Sequence, residues 1–342
     1  MASPTPEDID IEMEDTTTTT TSTTDTFLPP SINLLSLLAG DSYTYFSPPP
    51  PSTLSHQTPI SLGVDEAGRG PVLGPMVYGI FYLPSHLSTP LLKQTHHFDD
   101  SKALTPSFRL SLFKSLCAHP DSSQLSSECG WAISSLSPRD ISAGMNSNYN
   151  LNAQAMDTTV SLIKHIYSLG VNITEIFVDT IGQPHTYQVK LEKIFPTAKI
   201  TVAKKADSLY PCVSAASVCA KVTRDLSLET LWKHHSPDNN KEIMEWGSGY
   251  PSDAKCATWL KNNMHPLFGW GMAETRFSWG TAKDLLEGKN GVKVDWPDNN
   301  NNEEGTYQIT SFFSAAKGGN QEEEEGDELG QWFGTPAGVE AF

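Results

Sequence analysis

Cysteine is scarce in this 342-residue chain: five residues, at positions 117, 129, 212, 219 and 256. Their number is odd and no CxxC pair occurs, which argues against a disulfide framework or a zinc site and for a reducing compartment. No apolar run approaches the roughly 20 residues of a membrane span, so no membrane contact is expected. The N-terminus lacks a basic stretch followed by an apolar one, so no secretory signal is expected either. A Walker sequence is missing, and Gly68-x-Gly70-x-x-x-Gly74 does not have the spacing of a dinucleotide fingerprint, which opposes a kinase or NTPase. Internal repeats are absent. Both ends are nearly devoid of basic residues: 1–60 hold eight acids and no Lys or Arg, and 295–342 hold eleven acids and one Lys.

The formal net charge of −17 runs against phosphate binding only when it is read over the whole chain. The middle, 61–294, keeps 21 acids and 22 bases, a net of +1. The hydrophobic share of 38% is low because polar ends dilute an ordinary core. Residues 1–60, with a Thr run at 16–21 and a Pro run at 48–51, read as a disordered, low-complexity extension whose apolar patch at 32–38 is too short to build a core. Residues 291–342 read as an acidic, mostly disordered tail. That tail contains one aromatic island, 306–313, which is either a strand or turn docking on the parent domain or a linear motif for a partner. Ile309, Phe312 and Phe313 have the apolar spacing of a sliding-clamp-binding peptide, although Thr306 stands where such motifs prefer Gln.

The middle reads as mixed α and β. Apolar and β-branched runs predict strands at 62–65, 75–83, 131–136, 175–178 and 199–203. Helical spacing predicts helices over 106–117, 152–169, 186–194, 213–232, 254–263 and 281–286. A hairpin-like group of strands followed by alternation with helices argues for a mixed sheet with helices packed on it.

Acids stand just past three of these strands: Asp65 and Glu66, then Asp179, then Asp207. The carboxyl ends of neighbouring strands converge, and α/β proteins place ligands there. Each Asp also has the ordinary alternative of a turn residue or helix cap. Gathered together, four carboxylates repel: two unit charges ~4 Å apart cost about 4 kcal/mol at an effective dielectric near 20. Hard divalent cations relieve this, and the chemistry so reached is metal-assisted phosphoryl transfer. Adjacent strand residues face opposite ways, so Asp65 and Glu66 reach one metal cluster only if the strand ends there, as Gly68 and Gly70 suggest. The pairs His96-His97 and His234-His235 sit in polar sequence and read as solvated loops.

The segment Gly63-Val64-Asp65-Glu66-Ala67-Gly68-Arg69-Gly70-Pro71-Val72-Leu73-Gly74-Pro75 resembles the signature of the type 2 ribonucleases H. Further stretches agree in order: Asp100-Ser101-Lys102-Ala103-Leu104, Tyr149-Asn150-Leu151-Asn152, Phe177-Val178-Asp179-Thr180, Lys205-Ala206-Asp207-Ser208-Leu209-Tyr210-Pro211, Gly247-Ser248-Gly249-Tyr250-Pro251 and Arg276-Phe277-Ser278-Trp279. The match covers roughly 61–290. It implies an RNase H-like α/β fold, a mixed β-sheet flanked by helices, with a helical C-terminal extension. It implies four metal ligands, Asp65, Glu66, Asp179 and Asp207, holding Mg²⁺ or Mn²⁺. The implied reaction cuts the RNA strand of RNA/DNA hybrids and incises DNA at single embedded ribonucleotides, leaving a 3′-hydroxyl and a 5′-phosphate. Gly68, Arg69 and Gly70 match the motif that senses the 2′-hydroxyl, and Tyr250 matches the tyrosine that holds the ribonucleotide beside the next deoxyribose. Lys102, Lys221 and Arg224 match positions near the nucleic acid. The sequence is most similar to the eukaryotic branch of the family, which implies a nuclear heterotrimer with two accessory subunits, B and C. Other RNase H-like nucleases lack the GRG and Gly-Tyr-Pro pair, and a non-catalytic hybrid-binding role is opposed by the presence of all four acids.

Overall fold

The computed structural model describes residues 27–98, 104–180, 182–235, 244–271, 273–288 and 291. Six strands form one mixed sheet in the order β1-β4-β3-β2-β5-β6. These are β1 (Tyr43–Phe46), β2 (Ile60–Ala67), β3 (Met76–Pro84), β4 (Gly130–Leu136), β5 (Ile173–Asp179) and β6 (Lys199–Ala203). The pairs β1–β4, β4–β3 and β3–β2 are antiparallel, whereas β2–β5 and β5–β6 are parallel. The helices are α1 (Leu34–Ala39), α2 (Pro106–Leu116), α3 (Gln124–Glu128), α4 (Pro138–Asn146), α5 (Leu151–Ser168), α6 (Pro184–Ile194), α7 (Ala206–Leu209), α8 (Pro211–His235), α9 (Ala254–Asn262) and α10 (Gly280–Leu286). No described helix is long and apolar enough to cross a membrane, and all five cysteines are unpaired.

Helix α8 lies against β2 and β3 at very close range. A Cβ on Gly63 would fall 2.3 Å from the Cys212 carbonyl carbon, and one on Gly79 would fall 2.4 Å from the Ala216 oxygen. Glycine in the strands and Cys212, Ala215, Ala216, Cys219 and Ala220 on the helix let the two backbones approach. On that face Phe81, Phe113 and Trp131 complete one buried cluster. On the opposite face α5 and α6 cover a second, built from Leu62, Val64, Ile80, Ile163, Ile176 and Val202. Because both faces are covered, β2 and β3 are buried along almost their whole length. A third cluster joins the C-terminal helical part to the end of α8 through Leu231, Trp246, Leu260 and Trp270.

The expectation that 1–60 forms no folded structure is corrected for residues 27–60; residues 1–26 lie outside the described residues. Asn33 caps α1 by accepting from the Ser36 amide, and Gly40 closes the helix in the left-handed region at φ 70°. Ile32 and Leu37 join the third cluster. Strand β1 then pairs with β4 over Tyr43–Ser135 to Phe46–Ala132. The carboxylate of Asp140, in α4, accepts from the amide and hydroxyl of Ser42 and so pins the strand's start. An apolar patch of seven residues is too small to make a core, yet it folds because a core already built elsewhere receives it. The boundary therefore lies at or before residue 27 rather than at 61. The tail beyond 291, with the aromatic segment 306–313, lies outside the described residues.

Candidate functional site

The parallel strands β2, β5 and β6 end on the same side of the sheet. Their register sets Val64 beside Val178 and Asp179 beside Ala203, which brings Asp65 next to Asp179. Asp207 follows β6 by four residues, in the first turn of α7. Backbone amides hold three of the carboxylates: Asp65 Oδ1 accepts from Glu66 N at 2.7 Å, Asp179 Oδ1 from Ala206 N at 2.9 Å, and Asp207 Oδ1 from Ser208 N at 3.0 Å.

A cleft of about 480 Å³ opens at this end of the sheet. Asp65, Glu66 and Asp179 line it together with Gly68, Arg69, Gly70, Lys221, Arg224 and Tyr250. Nine of the eleven residues singled out from the sequence thus share one concavity. Asp207 is buried just outside its lining, and Lys102 lies outside the described residues. Asp65 is 5% exposed, and burial, then the charge of Glu66, push its carboxyl well above the usual range. A hydrogen bond from Ser217 opposes the shift and the charge of Asp179 adds to it. Among the described residues, no three His, Cys, Asp or Glu side chains stand close enough to make a metal-binding group. The donor chemistry nonetheless fits a hard divalent cation: the acids supply only oxygen, and Asp65 carries a repulsion that such a cation would offset.

Contrary to the strand ending expected at Asp65 and Glu66, β2 continues to Ala67 on its β3 side, with Asp65 opposite Gly79 and Glu66 opposite Tyr78. Only the β5 side stops at Val64. Asp65 therefore leaves β2 toward α8 and Glu66 toward α5, yet both line the cleft, because β2 has no partner on its β5 side beyond Val64 and the sheet edge is open there. The pleat makes their divergence unavoidable for consecutive strand residues.

The Gly68–Gly70 loop and Tyr250 meet as the motif comparison implies. A Cβ on Gly70 would lie 3.2 Å from the Tyr250 ring, so only glycine leaves that ring in place. Gly68 is in the left-handed region at φ 80°, with Pro75 O where a Cβ would fall. The turn at Gly249 docks on the same loop, its carbonyl accepting from Val72 and Leu73.

Two cations here have roles that spacing did not reveal. Arg276 is fully buried and donates to the carbonyls of Gly68, Arg69 and Gly74, while its guanidinium lies 4.8 Å from the Trp279 ring centroid. Trp279 Nε1 in turn donates to Gly70 O at 3.0 Å. In a planar trans peptide the next N–H points opposite to the carbonyl. Holding the Gly68 and Arg69 carbonyls from behind therefore aims the Arg69 and Gly70 amides away from Arg276. Burial and the charge of Arg224 push the pKa of Arg276 down to about 9. Arg109, on α2, also lines the cleft, with Nη1 donating to Leu104 O at 2.6 Å. Arg109 stands in no pattern that sequence alone marks as functional, whereas Arg276 belongs to the Arg276–Trp279 stretch of the family resemblance, from which no role for it was read.

Arg224, expected near nucleic acid, is 2% exposed. Its guanidinium donates to Leu73 O and Ser248 O and pairs with Asp225, so it ties the GRG loop to the Tyr250 turn from the cleft floor. Lys221 is one-third exposed and pairs with Asp225 at 2.7 Å.

Comparison with known proteins agrees with this geometry. The ribonuclease HII family model matches residues 62–282. The A subunit of ribonuclease H2 from Neurospora crassa is 63% identical over 321 residues, spanning 92% of this chain and 97% of the relative. The human A subunit is 44% identical over 252 residues, spanning 73% and 80%. The solved ribonuclease H2 of Pyrococcus horikoshii OT3 superposes with a TM-score of 0.55 at 30% identity, over 67% of this chain and 97% of that one. RNase HII of Archaeoglobus fulgidus, solved in a complex with PCNA, gives 0.53 at 25% identity over the same shares. Matched over more than half its length by the family model and along most of its length by these relatives, the chain belongs to the ribonuclease HII family and is a ribonuclease H, a hydrolase.

Proposed function

We propose that the chain is the catalytic subunit of a metal-dependent endoribonuclease that removes RNA from DNA, cutting the RNA strand of RNA/DNA hybrids and incising DNA 5′ to single embedded ribonucleotides. The observation that carries this reading is the convergence of Asp65, Glu66 and Asp179 with the Gly68–Gly70 loop and Tyr250 in one cleft. Asp65, Glu66, Asp179 and Asp207 would hold Mg²⁺ or Mn²⁺. A divalent ion bound there supplies activation of water and stabilisation of the leaving 3′-oxygen, which gives 3′-hydroxyl and 5′-phosphate ends. The Arg69 and Gly70 amides present donors to an incoming sugar oxygen. The 2′-hydroxyl is the one group that separates RNA from DNA at such a site. Tyr250, 39% exposed against Gly70, offers a ring and hydroxyl to the adjoining sugar. Lys221, at the cleft wall, is placed to meet a backbone phosphate.

The relatives carry the name of one lettered subunit of ribonuclease H2. That supports assembly in a multi-subunit complex; two accessory subunits, B and C, and a nuclear setting for ribonucleotide excision and primer removal belong to the same proposal. The segment 306–313 is proposed as part of the contact with the accessory subunits, and the Archaeoglobus complex supports a separate sliding-clamp contact. Deleting 305–315 should weaken assembly with the accessory subunits, and an unchanged heterotrimer on gel filtration would count against that assignment. The central test uses a duplex with one ribonucleotide and Mg²⁺, comparing the wild-type assembly with Asp65→Asn. Equal cleavage by both would sink the mechanism.

A further inference from the structure

The carboxyl end of the sheet opens on two faces. Besides the cleft described above, a second one of about 570 Å³ lies on the face closed by α5 and α6. Glu66, Arg69 and Asp179 form the wall that both clefts share. The pleat explains the division. Asp65 leaves β2 toward α8, and Glu66 leaves it toward the second cleft, beside its register partner Tyr78.

The second cleft sets two cations, Arg69 and Lys190, against the carboxylates of Glu66, Asp157 and Asp179, and the wall shared with the first cleft holds two of those three acids. The Arg69 side chain reaches into the second cleft and donates from Nη2 to Oδ1 of Asn152, in the first turn of α5. Lys190, exposed on α6, brings another cation to the lining. Tyr78 also lines it and is 2% exposed. Its hydroxyl makes no hydrogen bond of ordinary geometry, although the Arg69 guanidinium is close enough to oppose the rise in its pKa that burial causes. The hydroxyl is closed off from the cleft and bears on the Arg69 guanidinium, so Tyr78 helps to set where that cation sits. Tyr187, its hydroxyl donating to Thr159 Oγ1, braces the far side.

A strand that meets Tyr250 on one side of the Glu66–Asp179 wall, and is cut at that wall, continues into the next concavity. We propose that this second cleft binds the cut strand on the side of the scissile bond away from Tyr250, seating a backbone phosphate between Lys190 and Arg69, the latter held in place by Tyr78 and Asn152. The assignment rests on the nuclease reading above. It makes the cleft a positioning site that reads backbone rather than base.

The test uses the assembled enzyme and two single-ribonucleotide duplexes. In one the cut strand is long on both sides; in the other it keeps only one nucleotide on the 5′ side of the ribonucleotide. On the long substrate Lys190→Ala should raise KM roughly five- to tenfold, leave kcat nearly unchanged and reduce the salt slope of binding by about one. Tyr78→Phe should also raise KM on the long substrate, with thermal stability retained. On the shortened substrate both variants should match the wild type. Equal effects on the two substrates, no effect on the long one, or effects that track the length of the uncut strand would each overturn the assignment. Failure of the wild type to cut at the ribonucleotide would instead overturn the nuclease reading and this one with it.

Discussion

Replacing Arg276 by Met tests how far the Gly68–Gly70 loop depends on a cation delivered from the C-terminal part of the chain. Met keeps an unbranched stem of similar length and removes all five donors. Gly68 and Gly74 are buried, and each carbonyl loses a charge-assisted hydrogen bond. A buried acceptor left short costs about 1–3 kcal/mol. Arg69 is only half-buried, so its carbonyl can turn to water. Against this loss stands the relief of no longer burying a cation, worth several kcal/mol in many proteins. The net expected is a destabilisation of about 2 kcal/mol, or a fall in Tm of roughly 4–8 °C for a domain of this size. Activity should fall much further, because a 1 Å misplacement at a reacting centre costs about 100-fold. The measurement pairs a thermal scan with kcat/KM on a single-ribonucleotide duplex, at a temperature well below both transitions. A variant with lowered Tm and activity within threefold of wild type would refute the reasoning, since the loop would then hold its own conformation.

Gly70→Ala should displace the Tyr250 ring and lower kcat/KM at a single ribonucleotide about tenfold, with little change in Tm; an unchanged ratio of cleavage at ribonucleotides to that of longer hybrids would contradict the packing. Asp65→Asn should raise the Tm of the metal-free chain at pH 7. Its folded-state pKa is raised, so the stability its neutral form contributes is present at low pH and is lost as pH rises through the folded value. Added Mg²⁺ or Mn²⁺ should then raise the Tm of the wild type more than that of the variant, and an equal response would argue against Asp65 as a ligand. Ser42→Ala should cost about 1–2 kcal/mol by stripping hydrogen bonds from Asp140 and the Ser137 amide. Burial raises the pKa of Asp140, but the hydrogen bonds led by Ser42 hold it below its ordinary value. Its contribution is thus present above the unfolded value of about 3.9 and lost as pH falls through the lower folded one. The stability gap between Ser42→Ala and wild type should narrow as pH falls from about 4 through the lower folded value; a gap that stays constant over that fall would mean that the anchor does not act through the carboxylate.

Most of the candidate cleft was legible in residue order because its parts are local. An apolar run ending in Asp65-Glu66, another ending in Asp179, and Asp207 just after a third announce strand ends, and parallel strands carry their ends to one place. The helices at Pro106–Leu116, Leu151–Ser168 and Ala254–Asn262 followed from periodicity, since each buries one stripe of its own sequence. Residues 34–46 were misread because this short apolar stretch stands between Pro29-Pro30 and the Pro run at 48–51, in an otherwise low-complexity segment. Strand β1 folds by pairing with β4, whose residues lie about 90 positions later, as Tyr43 with Ser135.

The sequence alone thus determined the kind of protein: a mixed sheet, four acids at strand ends, and a GRG loop with a tyrosine partner. Tertiary structure decided what those groups do to one another. Arg224 reads as a phosphate contact along the chain, but in the fold its guanidinium is turned to the carbonyls of Leu73 and Ser248. Arg276 reaches the Gly68 carbonyl across 208 positions of sequence. Asp65 and Glu66, adjacent in the chain, are parted by the pleat and divide the end of the sheet into two clefts. Spacing along a chain encodes which element a residue sits on. Where a buried cation finds its carbonyls depends on how distant elements pack, and only the assembled core sets that.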